Sequence, residues 1–253
     1  METVGLSVRA FLPCELALAI IRLFVGGMLL NVYVKEPQQQ AQACVIWMHG
    51  LGADAQDMAG LAAQLPITVA IRHVFIDAPV RPVTINNYVP MRAWYDIVGM
   101  KLTDREDRDG ILQSESMIRQ VVDDQLAEGF SSEQIFLAGF SQGGAMALFT
   151  GLQMAMPLAG IIALSAYLPL AAVCNVALDN RTPIFVAGGQ YDPVVLPAWT
   201  KQSVESLQCR GFKQITWHEY PMEHAICAEE VKDLARWLNM QVASCAHRGG
   251  DIQ

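Results

Sequence analysis

Three residue types in this sequence stand where hydrolytic chemistry would need them: Ser141, Asp192 and His224. Ser141 lies in Gly139-Phe140-Ser141-Gln142-Gly143-Gly144, after the apolar run Ile135 to Ala138 and before Ala145, Met146, Ala147 and Leu148, which favour a helix. That order predicts strand, sharp turn, helix. A serine on such a turn sits at strained backbone angles, and strand and helix approach so closely that residues 139 and 143 must be glycine. Its hydroxyl is left exposed beside the free N–H groups that start the helix, which can stabilise the charge developing on a carbonyl oxygen under attack. A serine becomes a useful nucleophile when a histidine takes its proton and an acid orients that histidine. Asp192 follows the apolar run Pro183 to Gly188, and His224 follows the alternating run Gln214 to Tyr220, each in a turn after a predicted strand. The chain order serine, acid, histidine suits a covalent hydrolytic site on a parallel sheet.

Other candidates for the acid and the base are poorly placed. Among later histidines, His218 lies within a predicted strand and His247 in the tail. Asp179 falls in a loop before a strand, Asp233 on a helix and Asp251 in the tail. A second glycine-rich turn, His49-Gly50-Leu51-Gly52, follows the apolar run Ala43 to Met48. It would aim the Leu51 N–H into the site as an oxyanion donor, with His49 a structural, hydrogen-bonded residue.

Elements must hold these turns together. Ala43 to Met48 is a continuous apolar run suited to a strand buried on both faces, and His73 to Asp77, Ala159 to Ser165 and Pro183 to Gly188 read as further buried strands. Ile135 to Ala138 reads as the short apolar strand before the serine turn, and Leu29 to Val34 as a strand leading into the domain. Between them, Asp54 to Leu65, Ile111 to Phe130 and Ala225 to Met240 carry apolar residues at helical spacing. The predicted fold class is therefore α/β, with a mainly parallel central sheet, helices on both faces and the site at the carboxyl ends of the strands. Arg81 to Met100, rich in Pro, Asn and aromatic residues, reads as a long loop that either shapes substrate access or packs Trp94 and Tyr95 on the core.

The 253 residues, 53% of them hydrophobic, suffice for one large domain, and no Pro/Gly/Ser-rich linker divides them. A net charge of −8 and a pI near 5.1 argue against a nucleic-acid partner. Six scattered cysteines show neither metal-ligand nor disulfide-scaffold spacing, which points to reduced thiols, a cytoplasmic setting and no metal. Residues 11–30 are the most apolar stretch, interrupted by Pro13, Glu15 and Arg22. Three readings stay open there: an amphipathic or signal-anchor helix touching a membrane, a helix docked on the domain, or an upstream extension with the functional chain starting at Met28. The last is favoured, giving an N-terminal extension over 1–30, a domain over 31–243 and a polar, frayed tail over 244–253.

With Pro90-Met91-Arg92-Ala93-Trp94-Tyr95-Asp96, Tyr191-Asp192-Pro193 and Met222-Glu223-His224 added to the two glycine turns, the sequence resembles the carboxylesterase and acyl-protein thioesterase family of α/β-hydrolases over about Ala43 to Leu238. The resemblance implies a Ser141-Asp192-His224 triad, an oxyanion hole made by the Leu51 and Gln142 N–H groups, and substrate contacts from Met91, Trp94 and Tyr95. It also implies an enzyme without cofactor, often a homodimer. The reading drawn first is a carboxylesterase for short to medium acyl chains. An acyl-protein thioesterase stands second, and an inactive scaffold used for binding third.

Overall fold

The computed structural model describes residues 19–25, 28–99, 105–175 and 181–248. In chain order the first half comprises β1 (Ala19–Val25), β2 (Met28–Lys35), β3 (Ala43–Met48), α1 (Ala55–Gln64), β4 (Ile71–Ile76), β5 (Val80–Val83), β6 (Val89–Arg92) and α2 (Arg108–Ala127). The second comprises β7 (Ile135–Phe140), α3 (Gln142–Leu152), β8 (Gly160–Leu164), β9 (Ile184–Gly189), α4 (Pro197–Cys209), β10 (Ile215–Tyr220) and α5 (Ala228–Arg248).

Eight strands form one sheet in the order β1-β2-β4-β3-β7-β8-β9-β10. From β4 to β10 neighbours pair in parallel, while β1 with β2 and β2 with β4 pair antiparallel. Every residue of β3, β8 and β9 is buried, as expected for strands covered on both faces. Alternation along β3 sorts its side chains: Cys44, Ile46 and Met48 join Val121, Val122 and Leu148 on one face. Val45 and Trp47 meet Met58, Leu61, Leu234 and Leu238 on the other. Thus α2, α3 and α4 cover one side and α1 and α5 the other, the predicted α/β arrangement. From β3 the chain moves outward to β4 on one side and later to β7, β8, β9 and β10 on the opposite side. The crevice beyond the carboxyl ends of β3 and β7 is therefore a topological switch point, where open α/β sheets place their sites.

The structure corrects the reading of three segments. Residues 19–25 are neither a helix nor outside the domain, since they pair with β2 over seven register positions from Ala19–Val34 to Val25–Met28; residues 11–18 lie outside the described residues. A short apolar run broken only by Arg22 has no period that separates strand from helix, so the sequence pattern left this open. The 81–100 loop contains the β5–β6 hairpin. Finally, α5 starts at Ala228 and stays helical to Arg248, past the predicted tail boundary at 244. Cys44, Cys174, Cys209 and Cys227 are free thiols, and burial pushes that of Cys44 up to about 12.

Two expectations follow from the sheet. Removing residues 1–27 bares the unpaired edge of β2, so the truncated protein should melt lower and aggregate more readily. Its kcat/KM should stay within about twofold, because β1 sits four strands from β7; an unchanged melting temperature would show that the β1 pairing contributes nothing. The second concerns His73, whose Nδ1 accepts from Trp47 Nε1 at 3.0 Å and whose pKa burial lowers to about 4. The unfolded chain binds this proton from about pH 6.5 downward and the folded chain does not, so stability falls between pH 6.5 and 4, by up to about 3 kcal/mol from this group. Urea titrations should show that fall in the parent protein and a shallower one in His73→Gln, which keeps an acceptor for Trp47; equal slopes would rule out the assignment.

Candidate active site

Glycines at three positions force the turn around Ser141. A Cβ on Gly139 would lie 2.3 Å from the Gly143 carbonyl carbon, one on Gly143 2.1 Å from the Met48 carbonyl oxygen, and one on Gly144 2.8 Å from Ala166 Cβ. With strand and helix locked this closely, Ser141 is held at φ 54°, ψ −119°, a sparsely populated conformation costing on the order of 1–3 kcal/mol. Two backbone bonds hold it there: its N–H donates to Leu164 O at 2.8 Å, and its carbonyl accepts from Ala145 N–H at 2.9 Å.

Two neighbouring turns supply the partners. Gly189, ending β9, fits only as glycine because a Cβ would meet Glu223 O at 2.3 Å. Hydrogen bonds from Gln190 N–H to Tyr220 O and from Tyr191 N–H to Met222 O tie the turn after β9 to the turn after β10. Asp192 is thereby brought to His224. Its carboxylate is 3% exposed: Oδ1 accepts from the Val194 and Val195 N–H groups at 2.8 and 2.9 Å, and Oδ2 lies 2.7 Å from His224 Nδ1. A carboxylate can only accept, so Nδ1 carries the ring proton, and in the neutral ring Nε2 is left to accept from Ser141 Oγ at 2.9 Å. The three side chains named from the sequence are thus one hydrogen-bonded line, with Phe140 packed on the imidazole at 4.9 Å between ring centroids.

Beneath that line lies a set of buried polar clamps. The Gln142 side chain accepts from Trp94 N–H and donates to Tyr95 O, both at 2.8 Å. Trp94 Nε1 donates to His49 O at 2.9 Å. His49 Nε2 accepts from Ala78 N–H at 2.9 Å, while Nδ1 faces Gly50 O at 2.7 Å; burial lowers its pKa, keeping the ring neutral. His49 is structural, as the sequence indicated. Asp77, 3% exposed, accepts from Ala55 N–H at the start of α1 and from Tyr33 OH, and pairs with Arg92 at 3.0 Å. The pattern gave Gln142 a backbone role alone; a large amide in a run of Gly, Ala and Ser was the available signal for its clamp.

A cavity of about 280 Å³ opens over Ser141, lined by Leu51, Ser141, Gln142 and His224 and walled by Tyr95, Tyr167, Val194 and Val195 among others. Of the three predicted substrate contacts only Tyr95 is on this wall. Trp94 is fully buried beneath it as a clamp, and Met91 lies beside Gly52, its sulfur accepting from Asn86 Nδ2. Tyr167, Val194 and Val195 were missed, although Val194 and Val195 directly follow Asp192. Neither the Leu51 nor the Gln142 N–H is drawn into a turn or loop hydrogen bond among the described residues. Among those residues no cluster of His, Cys, Asp or Glu is placed to hold a metal, and no helix is long and apolar enough to cross a membrane.

The profile of the phospholipase/carboxylesterase family matches residues 30–242. The chain is 37% identical over 215 residues to acyl-protein thioesterase 1 of Mycosarcoma maydis, covering 78% of this chain and 90% of that protein. It is 36% identical over 181 residues to acyl-protein thioesterase 1 of Schizosaccharomyces pombe, covering 70% and 81%. Among solved structures, Arabidopsis thaliana SOBER1 superposes with a TM-score of 0.74 at 26% identity, covering 79% of this chain and 99% of that one.

Replacing Gln142 by Leu leaves the Trp94 N–H and the Tyr95 carbonyl buried without partners, each costing about 1–3 kcal/mol. The variant should therefore melt several degrees lower; a melting temperature within a degree of the parent's would disprove the clamp.

Proposed function

We propose that this chain, which belongs to the phospholipase/carboxylesterase family, works through an acyl-enzyme to remove fatty-acyl groups from protein cysteines. Ester-cleaving hydrolysis belongs to the family; the thioester preference and the residue roles are the proposal. The observation that carries it is the line Asp192–His224–Ser141, at 2.7 and 2.9 Å, opening on a mainly apolar cavity. That two of the similar proteins carry the name acyl-protein thioesterase 1 supports the thioester reading over the small-ester one, and moves the second reading of the sequence ahead of the first.

His224 Nε2 takes the Ser141 proton as Oγ attacks the thioester carbonyl, and Asp192 stabilises the imidazolium. The carbonyl oxygen becomes an oxyanion between the Leu51 and Gln142 N–H groups. As the C–S bond breaks, the imidazolium returns its proton to the departing sulfur, leaving a free cysteine and an acyl-Ser141 ester. Water, deprotonated by His224, attacks that ester; the Oγ leaves with the proton, releasing the fatty acid.

One observation favours the small-ester reading. The cavity carries two phenol groups, Tyr95 and Tyr167, with their hydroxyls 3.3 Å apart. An acyl chain reaching those hydroxyls meets polar oxygen there, which limits what each further methylene gains.

Ser141→Ala should lower kcat by on the order of a million-fold and Asp192→Asn by about ten-thousand-fold; a fully active Ser141→Ala protein would end the assignment. Substrate class is read from kcat/KM for p-nitrophenyl esters of graded length beside a palmitoyl-cysteine peptide. Each buried methylene adds up to roughly fourfold until the cavity is full. Strong depalmitoylation supports the thioesterase. A maximum at about four to eight carbons with negligible depalmitoylation returns the assignment to a carboxylesterase.

A further inference from the structure

Phe140 and His224 are walls of two cavities, not one. On the Ser141 side lies the acyl cavity; on the far side a more open groove of about 460 Å³ runs along the exposed face of α1, past Gln56, Asp57, Gly60 and Gln64. We propose that this groove is the leaving-group subsite and holds the polypeptide segment that carries the acylated cysteine. The occupant named here rests on the thioesterase reading.

Three observations converge on it. The first is the direction of proton return. His224 Nε2 gives back its proton to the departing atom, so the leaving group stands on the histidine side of Ser141, and the groove is the second cavity onto which His224 opens.

The second is chemical character. Amide side chains at Gln56 and Gln64 offer both donors and acceptors to a peptide backbone, whereas the acyl cavity is mainly apolar. Asp57 is the one charged lining residue on α1, with one carboxylate oxygen held by Asp54 N–H at 3.1 Å. Among the described residues neither Lys nor Arg lines the groove, so a neutral or basic segment is accepted and an acidic one disfavoured.

The third is Gly60. It lies inside α1, where glycine costs about 1 kcal/mol relative to alanine. A Cβ there meets nothing within 4 Å, and the backbone is not in the left-handed region, so nothing in the fold requires a glycine. Any side chain at this position would instead project into the groove and narrow it.

The experiment follows from that position. Parent, Gly60→Ala and Gly60→Trp proteins are compared on p-nitrophenyl octanoate and on a neutral octapeptide bearing one S-octanoyl cysteine, so that the acyl half is constant. The deacylated octapeptide is also tested as an inhibitor of p-nitrophenyl octanoate hydrolysis. Gly60→Trp should lower kcat/KM for the peptide thioester at least tenfold and leave the small ester within twofold. It should also abolish inhibition by the deacylated peptide, while Gly60→Ala, with only a methyl group added, should lose less on the peptide thioester than Gly60→Trp and melt higher. Equal losses on both substrates, or no loss on either, would overturn the subsite. Should the parent cleave the small ester but not the thioester, the thioesterase reading fails on its own. The groove is then retained only if the deacylated peptide inhibits the parent and not Gly60→Trp, and is rejected if it inhibits neither.

Discussion

The backbone of α3 runs so close to the end of β3 that one added Cβ, at Gly143, would lie 2.1 Å from the Met48 carbonyl oxygen. The rest of the site depends on that approach. It fixes Ser141 at a positive φ and turns its hydroxyl out of the sheet. It also places the first N–H of α3 beside the loop that leaves β3, so that Leu51 and Gln142 line one cavity although 91 positions separate them in the sequence. Two strands adjacent in the sheet but distant in the chain are what a topological switch point provides.

Close backbone approach alone would leave the surrounding loops free to move. What holds them is a set of buried polar groups whose partners come from other loops: Gln142 to Trp94 and Tyr95, Trp94 to His49, His49 to Ala78, and Asp77 to Ala55, Tyr33 and Arg92. Each such group is costly to bury unpaired, so the network tolerates one arrangement of the loops and penalises the rest. His49 illustrates the economy of the design. Burial depresses its pKa and the ring stays neutral, which lets one nitrogen accept from Ala78 N–H while the other faces Gly50 O.

Legibility in the sequence follows the range of the interaction. The turn at Ser141 was readable because its constraint is local, two glycines within two residues of the serine. Asp192 and His224 were readable because chain order and strand ends restrict the choice to a few residues. The cavity wall was not, since Tyr167, Val194 and Val195 meet Tyr95 only through tertiary folding. Trp94 was misassigned for the same reason: an aromatic residue in a loop looks alike from the sequence whether it faces substrate or, as here, is buried against His49. The strand at 19–25 was hidden differently. An apolar run broken only by Arg22 carries no alternation, and its pairing along β2 is set by tertiary structure rather than by a pattern in the sequence.

These two classes of residue differ in how freely they can change. At Gly139, Gly143 and Gly189 the nearest neighbours are backbone atoms 2.1 to 2.3 Å from an added Cβ, which no rotamer can relieve, so these three positions are closed to substitution. Tyr95, Tyr167, Val194 and Val195 line the cavity over Ser141, and Gly60, Gln56 and Gln64 line the opposite groove from the surface of a helix. Substitution at those positions alters what is bound without moving Ser141, Asp192 or His224. The two cavities can therefore vary independently, because His224 and Phe140 line both as a common wall. On the proposed reading, an esterase and a protein thioesterase built on this scaffold need differ only in the walls on either side of the Asp192–His224–Ser141 line.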